Sequence, residues 1–191
     1  MVPNARRQVL KWAAGASAVA LSPQLMQFAR AADDFLKGPP VNDIPAKQLS
    51  QHVWMIYSPD GFPTPENQGM MANVTFVVSQ QGVILLDTGA SVQIGEMAIR
   101  MIKRVTHKPV ITIFNSHYHG DHFLGNQAFI EAYGKDIPIY AHPYSINQIK
   151  GIEGNAWRNL MERWTNQATA GTKVIPPTHI AKQGDIFNYG D

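Results

Sequence analysis

The chain has 191 residues, 45% of them hydrophobic and 16% charged, with a formal net charge of +2. So small a positive excess makes no field for holding nucleic acid, and the length suits one domain. The absence of cysteine removes disulfides, thiolate metal ligands and a cysteine nucleophile together.

The first segment carries a targeting pattern. Arg6-Arg7-Gln8-Val9-Leu10-Lys11 resembles a bacterial twin-arginine export signal, and an uncharged run from Trp12 to Leu21 follows it. Ala29-Arg30-Ala31 supplies the small-x-small pattern of a cleavage site. The ten residues of the apolar run are too few to cross ~30 Å of hydrocarbon at ~1.5 Å per residue. Residues 1–31 are therefore expected to be a signal peptide and 32–50 an extended arm. Residues 51–191 are expected to form the domain, and the protein to be periplasmic or secreted.

Within the domain, His52–Tyr57 alternates as a strand should. Residues 58–72, with three prolines and two glycines, form a long loop. It is either a plain connection or a flap presenting Phe62, Met70 and Met71 to a site. Asn73–Val78 and Gly82–Asp87 read as antiparallel neighbours joined by a hairpin-length turn. Asp87 then either caps its own turn or holds a neighbouring side chain in place. Ser91 can cap the next helix, on which Ile94, Met97, Ala98, Met101, Ile102 and Val105 share one face, with Arg100, Lys103 and Arg104 outside it. After Pro109 comes the β-branched strand 110–114, and a right-handed crossover makes it parallel to the strand ending at Asp87.

The chemistry is concentrated in His117-Tyr118-His119-Gly120-Asp121-His122, which holds three of the seven histidines. Imidazole and carboxylate donors suit zinc or another borderline first-row metal. On an extended backbone His117 and His119, two apart, point the same way and can grip one ion. Gly120, free in φ, is expected to turn the chain so that Asp121 and His122 face a second. Asp121 alternatively sits where a helix N-cap would be. A helix is expected over Phe123–Tyr133 and a strand over Ile137–Ala141. His142 at the strand's end is expected to be structural, and His52, His107 and His179 have no partner at ligand spacing. Trp157, Leu160, Met161 and Trp164 form a helical stripe expected to serve core or interface, and Thr172–Asp191 a loop followed by a strand.

His-x-His-x-Asp-His after an apolar strand, with Leu85-Leu86-Asp87-Thr88-Gly89 upstream, resembles the metallo-β-lactamase superfamily over about residues 50–191. The resemblance implies an α/β fold, the first half of a four-layer αββα sandwich with a mixed sheet. It implies His117 and His119 at a first metal site, Asp121 and His122 at a second, and Asp87 supporting them. The cofactor implied is zinc, two per complete site, with iron as the alternative, and the substrate is a small molecule. A zinc ion keeping an open position lowers the pKa of its water to roughly 7 and so supplies hydroxide to attack an ester, lactone, lactam, thioester or phosphodiester. Asp121 would steer that water or carry its proton. The later ligands of the family pattern have no match here, so the chain is expected to be a fragment inactive alone, of an intact exported zinc-dependent hydrolase. The competing expectations are a mononuclear iron oxidoreductase of the same fold and a non-catalytic, truncated binding or regulatory fragment. No second apolar run reaches spanning length, and nothing in the sequence specifies an oligomeric state.

Overall fold

The computed structural model describes residues 37–190, all within the compact unit Leu36–Asp191. The predicted signal peptide, residues 1–31, lies outside the described residues. Seven strands form one sheet in the order of the chain: β1 (Lys47–Gln48), β2 (Val53–Ile56), β3 (Val74–Val78), β4 (Val83–Leu86), β5 (Val110–Phe114), β6 (Ile139–Ala141) and β7 (His179–Ile180). From β1 to β4 neighbours are antiparallel, and from β4 to β7 they are parallel. The change follows from the connections, since parallel neighbours need a crossover long enough to hold a helix. Helix α1 (Val92–Val105) joins β4 to β5. A single turn, α2 (Gly120–Phe123), and α3 (Asn126–Tyr133) join β5 to β6, and α4 (Pro143–Lys150) with α5 (Ile152–Trp164) join β6 to β7. The fold is α/β with a mixed sheet, as the sequence predicts.

Alternation along the strands builds the core. Val74 and Phe76 of β3, Val83 and Leu85 of β4, Ile113 of β5 and Ile139 of β6 are buried. They join Ile94, Met97, Met101 and Ile102 of α1 and Phe129 of α3 in one hydrophobic cluster. Each such side chain contributes about 1.5–3 kcal/mol relative to exposure. The opposite face carries Thr75, Leu86, Phe114 and Tyr140 in one cross-strand row. There Phe187 lies against Phe114 and Tyr140, 4.9 Å from each ring.

Helix α1 forms as its sequence predicts. The Ser91 hydroxyl accepts from the amide of Ile94 at 3.2 Å, and Lys103 and Arg104 occupy the last turn, where positive charge offsets the helix dipole. Its outer arginines also have a task, because Arg100 and Arg104 both pair with Asp43 of the arm. Val41 of the arm is buried and Lys47–Gln48 pairs with β2, so residues 37–48 are fastened along the domain.

Two helical expectations need correction. The predicted helix Phe123–Tyr133 starts earlier, at Gly120, and is interrupted at Leu124–Gly125. Here the chain passes so close to Thr88 that a β-carbon on Gly125 would collide with the Thr88 carbonyl, and the Gly125 amide donates instead to Gly89 O at 2.9 Å. Helix α4 goes unpredicted. His142 caps it, with Nδ1 accepting from the Tyr144 amide at 3.2 Å, and Pro143 occupies the first turn. This matches the structural role predicted for His142. Among the described residues no helix is long and apolar enough to cross a membrane.

Candidate metal centre

Strands β4 and β5 run parallel and end side by side, which places Asp87 next to the start of the histidine segment. The Asp87 amide donates to Phe114 O at 2.9 Å, and the Asn115 amide to Tyr140 O at 2.8 Å. Asp87 has φ +60°, a left-handed conformation that aspartate tolerates better than most residues. Its carboxylate is fully engaged. Oδ1 accepts from the Ser116 amide at 2.7 Å, and Oδ2 accepts from Ser116 Oγ and from His122 Nδ1, both at 2.8 Å.

Below this carboxylate lies a buried amide cluster. Asn115 Nδ2 donates to His122 O (3.1 Å) and to Asn126 Oδ1 (3.1 Å), while Asn126 Nδ2 returns a bond to Asn115 Oδ1 (2.8 Å). The Thr88 amide also donates to His122 O, at 2.9 Å. His122 is thus fixed through its backbone and its ring together. Buried polar groups satisfied in this way hold a loop to one conformation.

The second nitrogen of His122, Nε2, faces Asp121 Oδ2 at 3.0 Å. Asp121 is buried, inside the first turn of α2. The N-cap is His119, with extended backbone, so the capping alternative for Asp121 does not apply. Gly120 needs no special φ either. It is helical, and its value is space: a β-carbon there would meet Trp157 Cβ and Leu124 Cδ1, each at 2.9 Å.

His117 lies with its ring centroid 4.7 Å from that of His119 and 4.0 Å from that of His122, and Ser116 Oγ is 3.0 Å from its Nδ1. His119 rests on Trp157 of α5 (4.6 Å, 35°) and against Tyr118 (4.9 Å). The four predicted residues and Asp87 therefore share one place at the carboxyl ends of β4 and β5. The sequence did not single out Ser116, Asn115 or Asn126, and placed Trp157 in core or interface rather than beside His119. Two polar residues directly before the histidines were the signal available for Asn115 and Ser116.

Charge follows geometry. Burial opposes a charged His122, but its bonds to Asp121 and Asp87, and their negative charge, outweigh this and push its pKa up to about 9. Burial works against the Asp121 carboxylate too, yet the bond from His122 holds it below its ordinary value. His117 is held below the usual imidazole range by burial, then by His122 and His119. The two carboxylates thus favour the protonated ring of His122, and a metal at Nε2 would displace the proton there.

Among the described residues no group of three or more His, Asp or Glu side chains already converges to hold an ion. The donor chemistry nonetheless fits one. Asp121 Oδ2 and His122 Nε2, 3.0 Å apart, are near the ~3.3 Å that separates two donors on a tetrahedral ion with ~2 Å bonds. Asp87 on Nδ1 also orients the ring as a carboxylate behind a metal-binding histidine does.

An open cavity of about 370 Å³ borders Asp121 and His122, and Met71, Asn73, Thr75 and Leu86 line it. Of the three loop residues proposed for a flap, Met71 alone reaches this cavity. Met70 is buried in the core, and Phe62 packs on Trp164 at 5.0 Å.

Comparison with known proteins agrees with this architecture. Residues 68–147 match the model of the metallo-beta-lactamase superfamily. A linear primary-alkylsulfatase from Pseudomonas sp. (strain ATCC 19151) is 26% identical over 76 residues, 38% of this chain and 14% of that protein. The metallo-beta-lactamase IND-7 superposes with a TM-score of 0.53 at 20% identity, covering 78% of this chain and 57% of its own. A HARLDQ-motif mutant of the metallo-beta-lactamase from Cronobacter sakazakii gives 0.53 at 16% identity, covering 77% and 51%. The fold is thus that of part of a metallo-beta-lactamase, and the match to the superfamily model covers residues 68–147. This is a hydrolase family whose members commonly bind zinc. The chain spans little more than half of the lactamases it matches and a small part of the alkylsulfatase.

Proposed function

We propose that this chain belongs to an exported, zinc-dependent hydrolase in which His117 and His119 serve one metal position and Asp121 and His122 a second. The observation that carries this reading is the pairing of Asp121 Oδ2 with His122 Nε2 at 3.0 Å while Asp87 holds the opposite nitrogen. Zinc there would polarise the bond to be cleaved and activate water at neutral pH. The chain's own residues do the rest. Asp87 orients the His122 ring, and the amide cluster of Asn115 and Asn126 fixes its backbone. Asp121, at the cavity wall, is placed to accept a proton from water and return it to a leaving group.

The described residues offer two donors to each ion, whereas a catalytic zinc takes three protein ligands and a water. We therefore place the remaining ligands outside residues 37–190 and expect these 191 residues alone to bind zinc weakly and hydrolyse little. The substrate is a small ester, lactone, lactam, thioester or phosphodiester, and the likeness to an alkylsulfatase adds sulfate esters. Export through the twin-arginine route to the periplasm rests on Arg6-Arg7 and the apolar run after them. The test is metal analysis of the intact protein with a hydrolysis screen over these classes. Zinc content and an activity abolished by His117→Ala with His119→Ala are the expected results. Iron in place of zinc, or activity indifferent to both substitutions, would contradict the proposal.

A further inference from the structure

The hydrogen-bond arithmetic around Ser116 fixes something beyond the ligand set. A serine hydroxyl has one hydrogen to donate and lone pairs with which to accept. An ionised carboxylate only accepts, so the 2.8 Å contact from Ser116 Oγ to Asp87 Oδ2 consumes that hydrogen. Toward His117 Nδ1, 3.0 Å away, Ser116 Oγ can then act only as acceptor. The proton must lie on His117 Nδ1, and Nε2 is left with a free lone pair. His122 Nδ1 is held by the same carboxylate more directly, since it donates to the same Asp87 oxygen at 2.8 Å.

We infer that Ser116 is a positioning residue for His117: its hydroxyl extends the hold of Asp87 to a second ring, so that one carboxylate keeps a proton on Nδ1 of both His117 and His122. The two rings belong to different metal positions in the proposed function, on which the metal part of this inference rests. The neutral imidazole of a free histidine prefers its proton on Nε2, the nitrogen a metal would need. Ser116 removes that competition before any ion arrives. Its backbone is secured separately, since the Ser116 amide donates to Asp87 Oδ1 at 2.7 Å. The side chain itself is exposed, so removing the hydroxyl leaves the fold's support intact.

The test uses the full 191-residue chain, free of metal and labelled with nitrogen-15, in long-range proton–nitrogen spectra that report which ring nitrogen carries hydrogen. The signals of His117 are assigned by their loss in His117→Gln. In the wild type the neutral His117 ring is expected to carry its proton on Nδ1. Ser116→Ala is expected to move it to Nε2, and Ser116→Thr, which keeps a hydroxyl, to retain it on Nδ1. Zinc affinity, from competition with a chromophoric chelator, should fall about tenfold in Ser116→Ala and recover in Ser116→Thr. A wild-type His117 protonated on Nε2, or a tautomer unmoved by Ser116→Ala, overturns the inference whatever zinc does. An Nδ1 proton that depends on Ser116 in a chain indifferent to zinc supports the tautomer lock and overturns the metal reading instead.

Discussion

His119 and His122 stand on one turn of chain, yet different forces hold them. Both ring nitrogens of His122 meet carboxylates, at 2.8 and 3.0 Å, and its carbonyl accepts from Thr88 and Asn115. The ring of His119 makes no hydrogen bond among the described residues and lies on Trp157, 4.6 Å between centroids. Directional bonds from two parallel strand ends fix the first, and the packing of a helix some forty residues further on fixes the second. One side of the centre is therefore built for a defined orientation, the other for a defined location. The Asp121–His122 side is the more preorganised of the two.

The strongest way to break this contrast is Asp87→Ala. It removes the acceptor for three donors and puts alanine at a φ of +60°. We expect a loss of about 2–4 kcal/mol in denaturant unfolding, mostly from the stranded donors. The His122 ring signals should also shift more than those of His119. Equal shifts of both rings would mean that the two sides are not held separately.

Next in size is Gly120→Ala, which tests the aromatic side. In an exposed helix this change stabilises, but here the new methyl would sit 2.9 Å from Trp157 Cβ. Pushing α5 away is expected to cost about 1–3 kcal/mol and to alter Trp157 fluorescence. A gain in stability would show that the close approach of α2 and α5 is not required.

The smallest effect is expected from Trp157→Phe. The buried indole Nε1 has no hydrogen-bond partner among the described residues, so losing it removes only ring area beneath His119. A cost of about 1 kcal/mol, with His119 signals moved and His122 signals still, would sharpen the contrast. Movement of His122 signals of the same size would blur it.

The same division separates what was legible in the sequence from what was not. Strands β2 to β5 show in the alternation of Val53–Ile56 and Val74–Val78 and in the β-branched run Val110–Phe114, because burial on a sheet face imposes that period. The parallel pairing of β4 with β5, and so the meeting of Asp87 with the histidine segment, follows from crossover handedness. Strand β1, two residues long, exists only because a neighbour pairs with it, while β7, at His179–Ile180, falls in the segment where a strand is expected after a loop. Helix α4 has only Ile146 and Ile149 as buried aliphatic residues, too little for a visible stripe. The break at Gly125 and the role of Gly120 depend on how closely separate segments approach, which no local pattern records. Ser116 is ordinary as a residue and acquires meaning only from the distances around it.

The most direct test of the central claim is a zinc titration of the full chain against a chromophoric competitor, run beside His122→Ala and His119→Ala. The wild type is expected to bind zinc more weakly than submicromolar. His122→Ala should lose the preorganised pair and most of the affinity, and His119→Ala should lose less. Zinc binding that neither substitution changes, or no binding at millimolar zinc, would contradict the assignment of these residues as a metal centre.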